Sequence, residues 1–263
     1  MPRPKLNLIS HFYNEEYLLP FWIEWYKKLD FDTVTLIDYD STDQSLQILK
    51  DSCPNNWRVI PSKNKNFCAP EVDAEVNEVE KRLDGWKICL NTTEFLLPSK
   101  NLFEMGEFEA TDRVAYSSLS LAIADDKDNY YPKSLKDFIS GFKYGVSDYV
   151  KTLRSDRYFH NALSGNYNVG RHQCYDLPIR YPHNKMFVCW LGYYPWNEKF
   201  HKRKLQIKTR IPQSDIESNY GFQHRWPIEK INLERKKLLE DETADLLSYE
   251  DYRQAYNYAM DLL

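Results

Sequence analysis

Along this chain the apolar positions switch between a period of two and a period near 3.6, and the switches outline a series of elements. Leu6 to Tyr13 alternates apolar and polar side chains and predicts a first strand, which ends at Asn14, Glu15 and Glu16. From Tyr17 to Leu29 apolar residues fall at 18, 19, 22, 23, 26 and 29, a helical spacing in which Pro20 is tolerated only near the first turn. Thr33 to Ile37 is rich in β-branched residues and predicts a second strand ending on Asp38, Tyr39 and Asp40. Ser41 to Gln44 has the spacing of a capping box and predicts a helix from there through Lys50. Trp57 to Ile60 predicts a third strand, and Pro70 to Leu83 an acidic helix with valines at 72, 76 and 79.

The stretch around which the rest is arranged runs from Gly85 to Pro98. An apolar run, Trp86 to Leu90, meets the polar cluster Asn91-Thr92-Thr93-Glu94, and a second apolar run, Phe95 to Leu97, closes at Pro98. Short apolar runs bounded by Gly and Pro predict a buried strand. A polar cluster interrupting it stands at its carboxyl end, where open α/β sheets place their ligands. The strand–helix alternation over about the first 100 residues predicts a parallel, doubly wound sheet with helices on both faces. Beyond Pro98 the pattern loosens. Arg113 to Ala124 predicts a long strand, Tyr130 to Tyr149 an irregular stretch, Met186 to Gly192 a buried strand and Trp196 to Lys208 a basic helix. Pro227 to the end is helical in pattern, with Leu238 to Leu247 amphipathic. No internal repeat or linker divides the 263 residues, which predicts a single domain over 1–263.

Composition narrows the class. A formal net charge of −4 and a pI near 5.9 argue against non-specific nucleic-acid binding. Five cysteines, odd in number and without a CxxC pair, fit free thiols in a reducing compartment, not a disulfide framework or a zinc site. The N-terminus does not read as a signal peptide, because the apolar run after Met1-Pro-Arg-Pro-Lys5 is too short. Met186 to Trp196 is about half of the ~20 residues a spanning helix needs. The expectation is a cytoplasmic protein without a transmembrane segment, with the inner face of a membrane as the alternative. Aromatic residues make up 15% of the chain, 20 Tyr and 7 Trp among them, a usage shared by sugar-binding sites and aromatic cores.

Three motifs in order then carry a resemblance. Phe12-Tyr-Asn-Glu-Glu-Tyr-Leu-Leu-Pro20 with Trp22-Ile-Glu-Trp25 resembles the opening of family-two-like glycosyltransferases of the GT-A fold. Ile37-Asp-Tyr-Asp-Ser-Thr-Asp43 resembles their second-strand motif, and Gly85 to Leu96 the strand that carries the DxD motif and a following Glu-Phe-Leu. The matches span roughly residues 5 to 100. A looser likeness extends through His160-Asn161, Gly165, Gly170-Arg171-His172 and Gly221-Phe-Gln-His224. The resemblance implies a GT-A (Rossmann-like), mostly parallel central sheet. It also implies a nucleotide-binding half over 1–100 and an acceptor-binding half with C-terminal helices over 101–263. One departure stands out: Asn91 and Thr93 occupy positions that are usually acidic in the family. There the DxD carboxylates hold a divalent cation, Mn or Mg, on the sugar-nucleotide diphosphate. Hard cations want charged oxygen ligands, and here only Glu94 offers a full charge, so the metal site the resemblance implies is reduced to Glu94 and, from the C-terminal region, His224.

Sugar transfer from a nucleotide donor needs a held nucleotide, a stabilised diphosphate and a base for the acceptor hydroxyl. Asp38 at a strand end suits hydrogen bonding to a base or ribose, as does the Asn14–Glu15 turn; Asp43 is better read as a helix cap. By resemblance the nucleotide-sugar contacts are His11, Asn14, Glu15, Asp38, Asp40, Asn91, Thr93, His160, Asn161, Arg171, His172 and His224. Positive charge for the diphosphate is available from Arg171, the histidines or Lys202-Arg203-Lys204, although a basic run on a helix ordinarily reads as a solvated face. The general-base candidates are the carboxylates Asp215 and Asp156, and Glu94 is either a metal ligand or an acceptor contact. The expected function is transfer of a hexose or pentose from a nucleoside-diphosphate sugar to a glycan acceptor, with inversion, in cell-surface polysaccharide or glycan synthesis. The alternative is a catalytically weakened protein of the same fold that binds nucleotide or carbohydrate without transfer. A nucleotide-sugar hydrolase or nucleotidyltransferase is a further alternative, but His11 to Glu16 lacks the Gly-rich basic loop that nucleotidyltransferases carry.

Overall fold

The strands expected in the first half lie side by side, all parallel, in the order β3 (Trp57–Pro61), β2 (Thr33–Asp38), β1 (Leu6–Phe12), β4 (Trp86–Cys89). The computed structural model describes residues 3–146, 155–183 and 185–263. Side chains alternate across the sheet. Leu6, Leu8, Val34, Leu36, Trp86 and Ile88 join the core under α1 (Leu19–Lys28) and α2 (Ser45–Ser52), whereas Ile9, Ile37 and Cys89 pack on Val72, Val76 and Val79 of α3 (Ala69–Glu80). The valine stripe is therefore the seam of α3, and helices cover both faces as the alternation predicts. Pro20 lies in the first turn of α1, where its missing N–H has no partner to lose. Because β1 sits between β2 and β4, the strand order reverses at the β1–β4 junction.

Beyond β4 the sheet becomes mixed. β8 (Ser155–His160) runs antiparallel between β4 and the long β6 (Ala115–Ala124). β10 (Met186–Tyr193) lies parallel to β6 and antiparallel to β5 (Glu94–Pro98). β7 (Tyr144–Val146), β9 (Ile179–Arg180) and β11 (Thr243–Asp245) are short additions. α1 reaches across to β5: Trp25 Nε1 donates to Leu96 O at 3.0 Å, and the Tyr26 hydroxyl donates to Glu94 O at 2.8 Å while accepting from Leu96 N at 3.1 Å. These contacts fix where the polar cluster of the central stretch ends and β5 begins.

Several local expectations need correction. The helix expected from Ser41 starts at Ser45, because Ser41 Oγ accepts from Asn14 N and Asp43 Oδ1 accepts from Ser45 N, so the capping-box residues tie down a loop. The stretch 130–149 is not all irregular. Ser134 caps α4 (Leu135–Ser140) by accepting from Asp137 N, and β7 follows; residues 147–149 lie outside the described residues. The basic helix is α5 (Glu198–Gln206), continued by a 3-10 turn at Ile207–Arg210. The C-terminal helical pattern is broken into α7 (Ile228–Asp241) and α8 (Glu250–Asp261) by β11, which pairs with β7; this pairing overrides the amphipathic run from Leu238 to Leu247.

Candidate functional site

The carboxyl ends of β1, β2 and β4 come together at the point where the strand order reverses, the place where open α/β sheets bind ligands. The loops after β1 and β2 are tied to each other. Asn14, in the left-handed region at φ 51°, accepts from Thr42 N at 2.7 Å and Asp43 N at 3.3 Å through Oδ1, and Glu15 N donates to Ser45 Oγ at 2.7 Å. Asp38 is buried and accepts from Ser41 N at 3.1 Å, while Asp40 is exposed with φ 62°. Between these loops and α3 lies His11, edge-on to Tyr39 and beside Phe67. Burial, and then the charges of Arg171 and Arg157, push its imidazole well below the usual histidine range, so it is neutral at pH 7.

After β4 the polar cluster turns back on itself. Glu94 accepts from Asn91 N at 2.9 Å and from Asn91 Nδ2 at 2.8 Å, and both its oxygens face Arg157, with Nε at 2.9 Å and Nη2 at 2.6 Å. Glu94 and Arg157 are both buried. Burial pushes the Glu94 carboxyl up, but Arg157, the Asn91 N–H and Arg171 outweigh it and hold the group below its ordinary value. Asn91 Oδ1 in turn accepts from Arg171 Nη2 at 2.6 Å. Arg171 is buried as well and pairs through Nη1 with Asp73 of α3, which also takes the Gly170 N–H at 2.7 Å. A chain of contacts thus runs Arg157–Glu94–Asn91–Arg171–Asp73. On its outer side Arg157 Nη1 bonds Asp156 Oδ1 at 3.0 Å, and Asp156 holds Nδ1 of the exposed His172. Thr93 is buried, and its carbonyl accepts from Leu191 N at 2.9 Å, which extends the pairing of β5 with β10.

A segment of the second half, 198–225, lies across these strand ends. Arg203 forms a two-pronged pair with Glu15, at 2.5 and 2.6 Å. Gln206 Nε2 donates to the carbonyls of Tyr13 and Asn14 at 3.0 and 2.9 Å, and Arg210 bonds the carbonyls of Tyr39 and Lys65 with its guanidinium 4.1 Å from the Tyr13 ring centre. Arg203 and Lys204 therefore turn inward, against the solvated-face reading of Lys202–Lys204; only Lys202 is exposed. Lys204 Nζ donates to Gly192 O at 2.7 Å among the rings of Trp190, Tyr193 and Phe200. Burial, reinforced by Arg203, lowers its pKa to about 7. His224 packs edge-on to Phe67, and burial with the Lys204 and Arg203 charges pushes it down to about 4.

The structure thus brings together His11, Asn14, Glu15, Asp38, Asn91, Glu94, Asp156, Arg171, His172 and His224 around one edge, but it relocates two expected site residues, His160 and Asn161. β8 runs antiparallel to β4 with His160 opposite Lys87, so the ~13 Å of strand from Arg157 to Asn161 leads to the opposite edge. His160 is a core histidine facing Glu80 at 3.2 Å and the Tyr167 hydroxyl at 2.9 Å, and Asn161 holds Val114 N and the carbonyls of Ala110 and Asp112. Asp215, expected as a base, is buried in α6 (Gln213–Glu217) and accepts from Ala69 N at 2.8 Å and Cys68 Sγ at 3.4 Å, which makes it a cap on α3. The sequence reading missed Arg157 and Asp73. An arginine inside the aromatic run Arg157-Tyr-Phe-His160 was a usable signal, since a buried cation requires an acid. Asp73, next to Val72 of the seam, carried no comparable mark.

The donor set does not suit a divalent cation. Both Glu94 oxygens are engaged by Arg157 and Asn91, the Asn91 oxygen is engaged by Arg171, and His224 stands beside Lys204 and Arg203. Among the described residues no group of three or more His, Cys, Asp or Glu side chains is arranged to hold a metal ion. Glu94 and His224, the ligands the resemblance implies, are not gathered into such a group among the described residues.

The sequence matches no family model, and no curated protein is significantly similar to it. Among solved structures, residues 1–349 of S. aureus TarS are similar at 15% identity and a TM-score of 0.42, covering 78% of this chain and 65% of that one. The same protein in complex with UDP-GlcNAc gives 14% identity and 0.43, with 78% and 66% covered. GalNAc-T7 with UDP, GalNAc and Mn2+ gives 12% identity and 0.42, covering 74% of this chain and 46% of that one. The chain thus spans less than two thirds of the length of these structures, and a likeness at this level assigns neither family nor activity.

Proposed function

We propose that the chain is a glycosyltransferase of GT-A type that moves a sugar from a nucleoside-diphosphate donor to a glycan acceptor, with inversion, in polysaccharide or glycan synthesis. The observation that carries this reading is the polar junction of β1 and β4: two strand ends rich in hydrogen-bonding side chains, with Arg157 and Arg171 buried directly behind them. Asp38 and the Asn14–Glu15 turn hold the nucleoside, the β4 end receives the diphosphate, and the second half of the chain supplies the acceptor side. The pairing of Asp156 with His172 changes the choice of base. With Nδ1 held by Asp156, His172 presents Nε2 as the proton acceptor. The acceptor hydroxyl proton passes to Nε2 as its oxygen bonds to the anomeric carbon. The bond from that carbon to the diphosphate oxygen breaks, and its electron pair leaves with the nucleotide.

The test is calorimetric titration of UDP and GDP, followed by incubation of the nucleotide that binds, as its sugar conjugates, with oligosaccharide acceptors. Binding with product formation that His172→Gln lowers by about 10²- to 10⁴-fold, at unchanged nucleotide affinity, is the expected result. Binding without transfer to any acceptor favours the second reading, a binder that has lost turnover, for which the fully engaged Glu94 is the supporting observation. Absence of binding to either nucleotide overturns both.

A further inference from the structure

Asn91 occupies a position where a carboxylate fails. Its side-chain nitrogen donates to Glu94 at 2.8 Å while its oxygen accepts from Arg171 at 2.6 Å. The amide offers a donor and an acceptor at once, whereas an ionised carboxylate offers acceptors alone. An aspartate there places a second negative charge at hydrogen-bond distance from Glu94 with no proton between them. The asparagine is therefore the residue that a pair of guanidiniums, not a metal ion, requires. A divalent cation set between Asn91 and Glu94 would have to displace Arg157 from the Glu94 oxygens and Arg171 from the Asn91 oxygen, contacts that already occupy the atoms it needs.

The same cluster retains donors for an anion. Arg171 Nε and His11 Nδ1 are buried atoms that lack a hydrogen-bond partner among the described residues. Buried polar atoms are ordinarily satisfied, and these two lie in side chains that interact across the β1–β4 junction. We infer that the site takes the diphosphate of its donor without a divalent metal, Arg171 and Arg157 standing as built-in cations behind the β4 end. This inference rests on the nucleotide-sugar reading above and goes beyond it by assigning the charge that the leaving diphosphate meets. Guanidiniums suit the task because they stay charged at any working pH, and Arg171 keeps its Nε–H without a partner among the described residues.

Two measurements on the unmodified protein test it. Mn2+ alone is titrated into metal-stripped protein, with free Mn2+ followed by electron paramagnetic resonance. UDP and GDP are then titrated in excess EDTA and in saturating Mn2+. The expected result is no saturable Mn2+ uptake, and a nucleotide affinity that agrees within about twofold between the two conditions, a difference well under the 1.4 kcal/mol of a tenfold change. Saturable Mn2+ uptake, or nucleotide binding roughly tenfold or more tighter with Mn2+, overturns the inference and leaves the glycosyltransferase reading standing. No nucleotide binding in either condition removes that reading and this inference with it, so the two failures are distinct. Arg171→Gln adds a third reading. If it remains folded by circular dichroism, it is expected to weaken the nucleotide by about tenfold or more, with no rescue by Mn2+. Unchanged affinity in that variant overturns the inference.

Discussion

His172 rests on Gly170, whose φ of +85° is open to glycine and whose missing side chain makes room for the ring: a Cβ there would come within 2.7 Å of His172 Nε2. Gly170→Ala therefore opposes both the backbone and the imidazole, and it is expected to lose about 1–2 kcal/mol of stability. Turnover should fall with it, while nucleotide affinity measured by calorimetry stays near that of the unmodified protein. Glu94 makes a prediction of a different kind. Its carboxyl is held below the ordinary value, so its ionised form contributes stability that is full above the unfolded pKa of about 4.3 and is lost as the pH falls through the lower folded pKa. Glu94→Gln breaks a buried pair and is expected to cost about 3–5 kcal/mol at neutral pH. In urea denaturation the gap between variant and parent should narrow as the pH drops below about 4.

At the level of elements, α1 is more than a cover for the sheet. Tyr26→Phe leaves the Glu94 carbonyl and the Leu96 N–H without their shared hydroxyl, which is expected to cost about 1–3 kcal/mol, read as a lower denaturation midpoint. Asp215→Ala should cost about 1 kcal/mol through the lost cap on α3; if it left stability intact and abolished turnover, the capping role would be wrong and the base role restored. The first-half elements were legible in the sequence because each carried its own period: the alternation of Leu6 to Phe12, the valines of α3, the Gly85 and Pro98 boundaries. β8 was not, because Arg157-Tyr-Phe-His160 has no clean alternation and its place is set by pairing between β4 and β6. His160 and Asn161 were misplaced for the same reason: polar neighbours mark a residue as hydrogen-bonded but do not say at which edge of the sheet. Asn91 to Glu94 could be located from sequence, whereas the partners that engage them, Arg157 and Arg171, come from residues far along the chain.

Across the whole molecule, the 198–225 segment joins the second half to the strand ends of the first. Lys204 makes that junction sensitive to pH. Its folded pKa of about 7 lies below the ~10.4 of an unfolded lysine, so the unfolded chain binds the extra proton between these values and stability rises with pH across that window. Lys204→Met is expected to flatten this rise in melting temperatures recorded from pH 7 upward. The described residues contain no helix long and apolar enough to cross a membrane. The grip of the segment falls largely on main chain: Gln206 on the Tyr13 and Asn14 carbonyls, Arg210 on those of Tyr39 and Lys65, Asp215 on the Ala69 N–H. A clasp that reads backbone is indifferent to an exposed side chain at the position it holds. Replacement of the exposed Lys65 leaves its carbonyl for Arg210, so there the rim of the crevice can change while the clasp stays shut, and the fold separates change at its surface from the upkeep of its own closure.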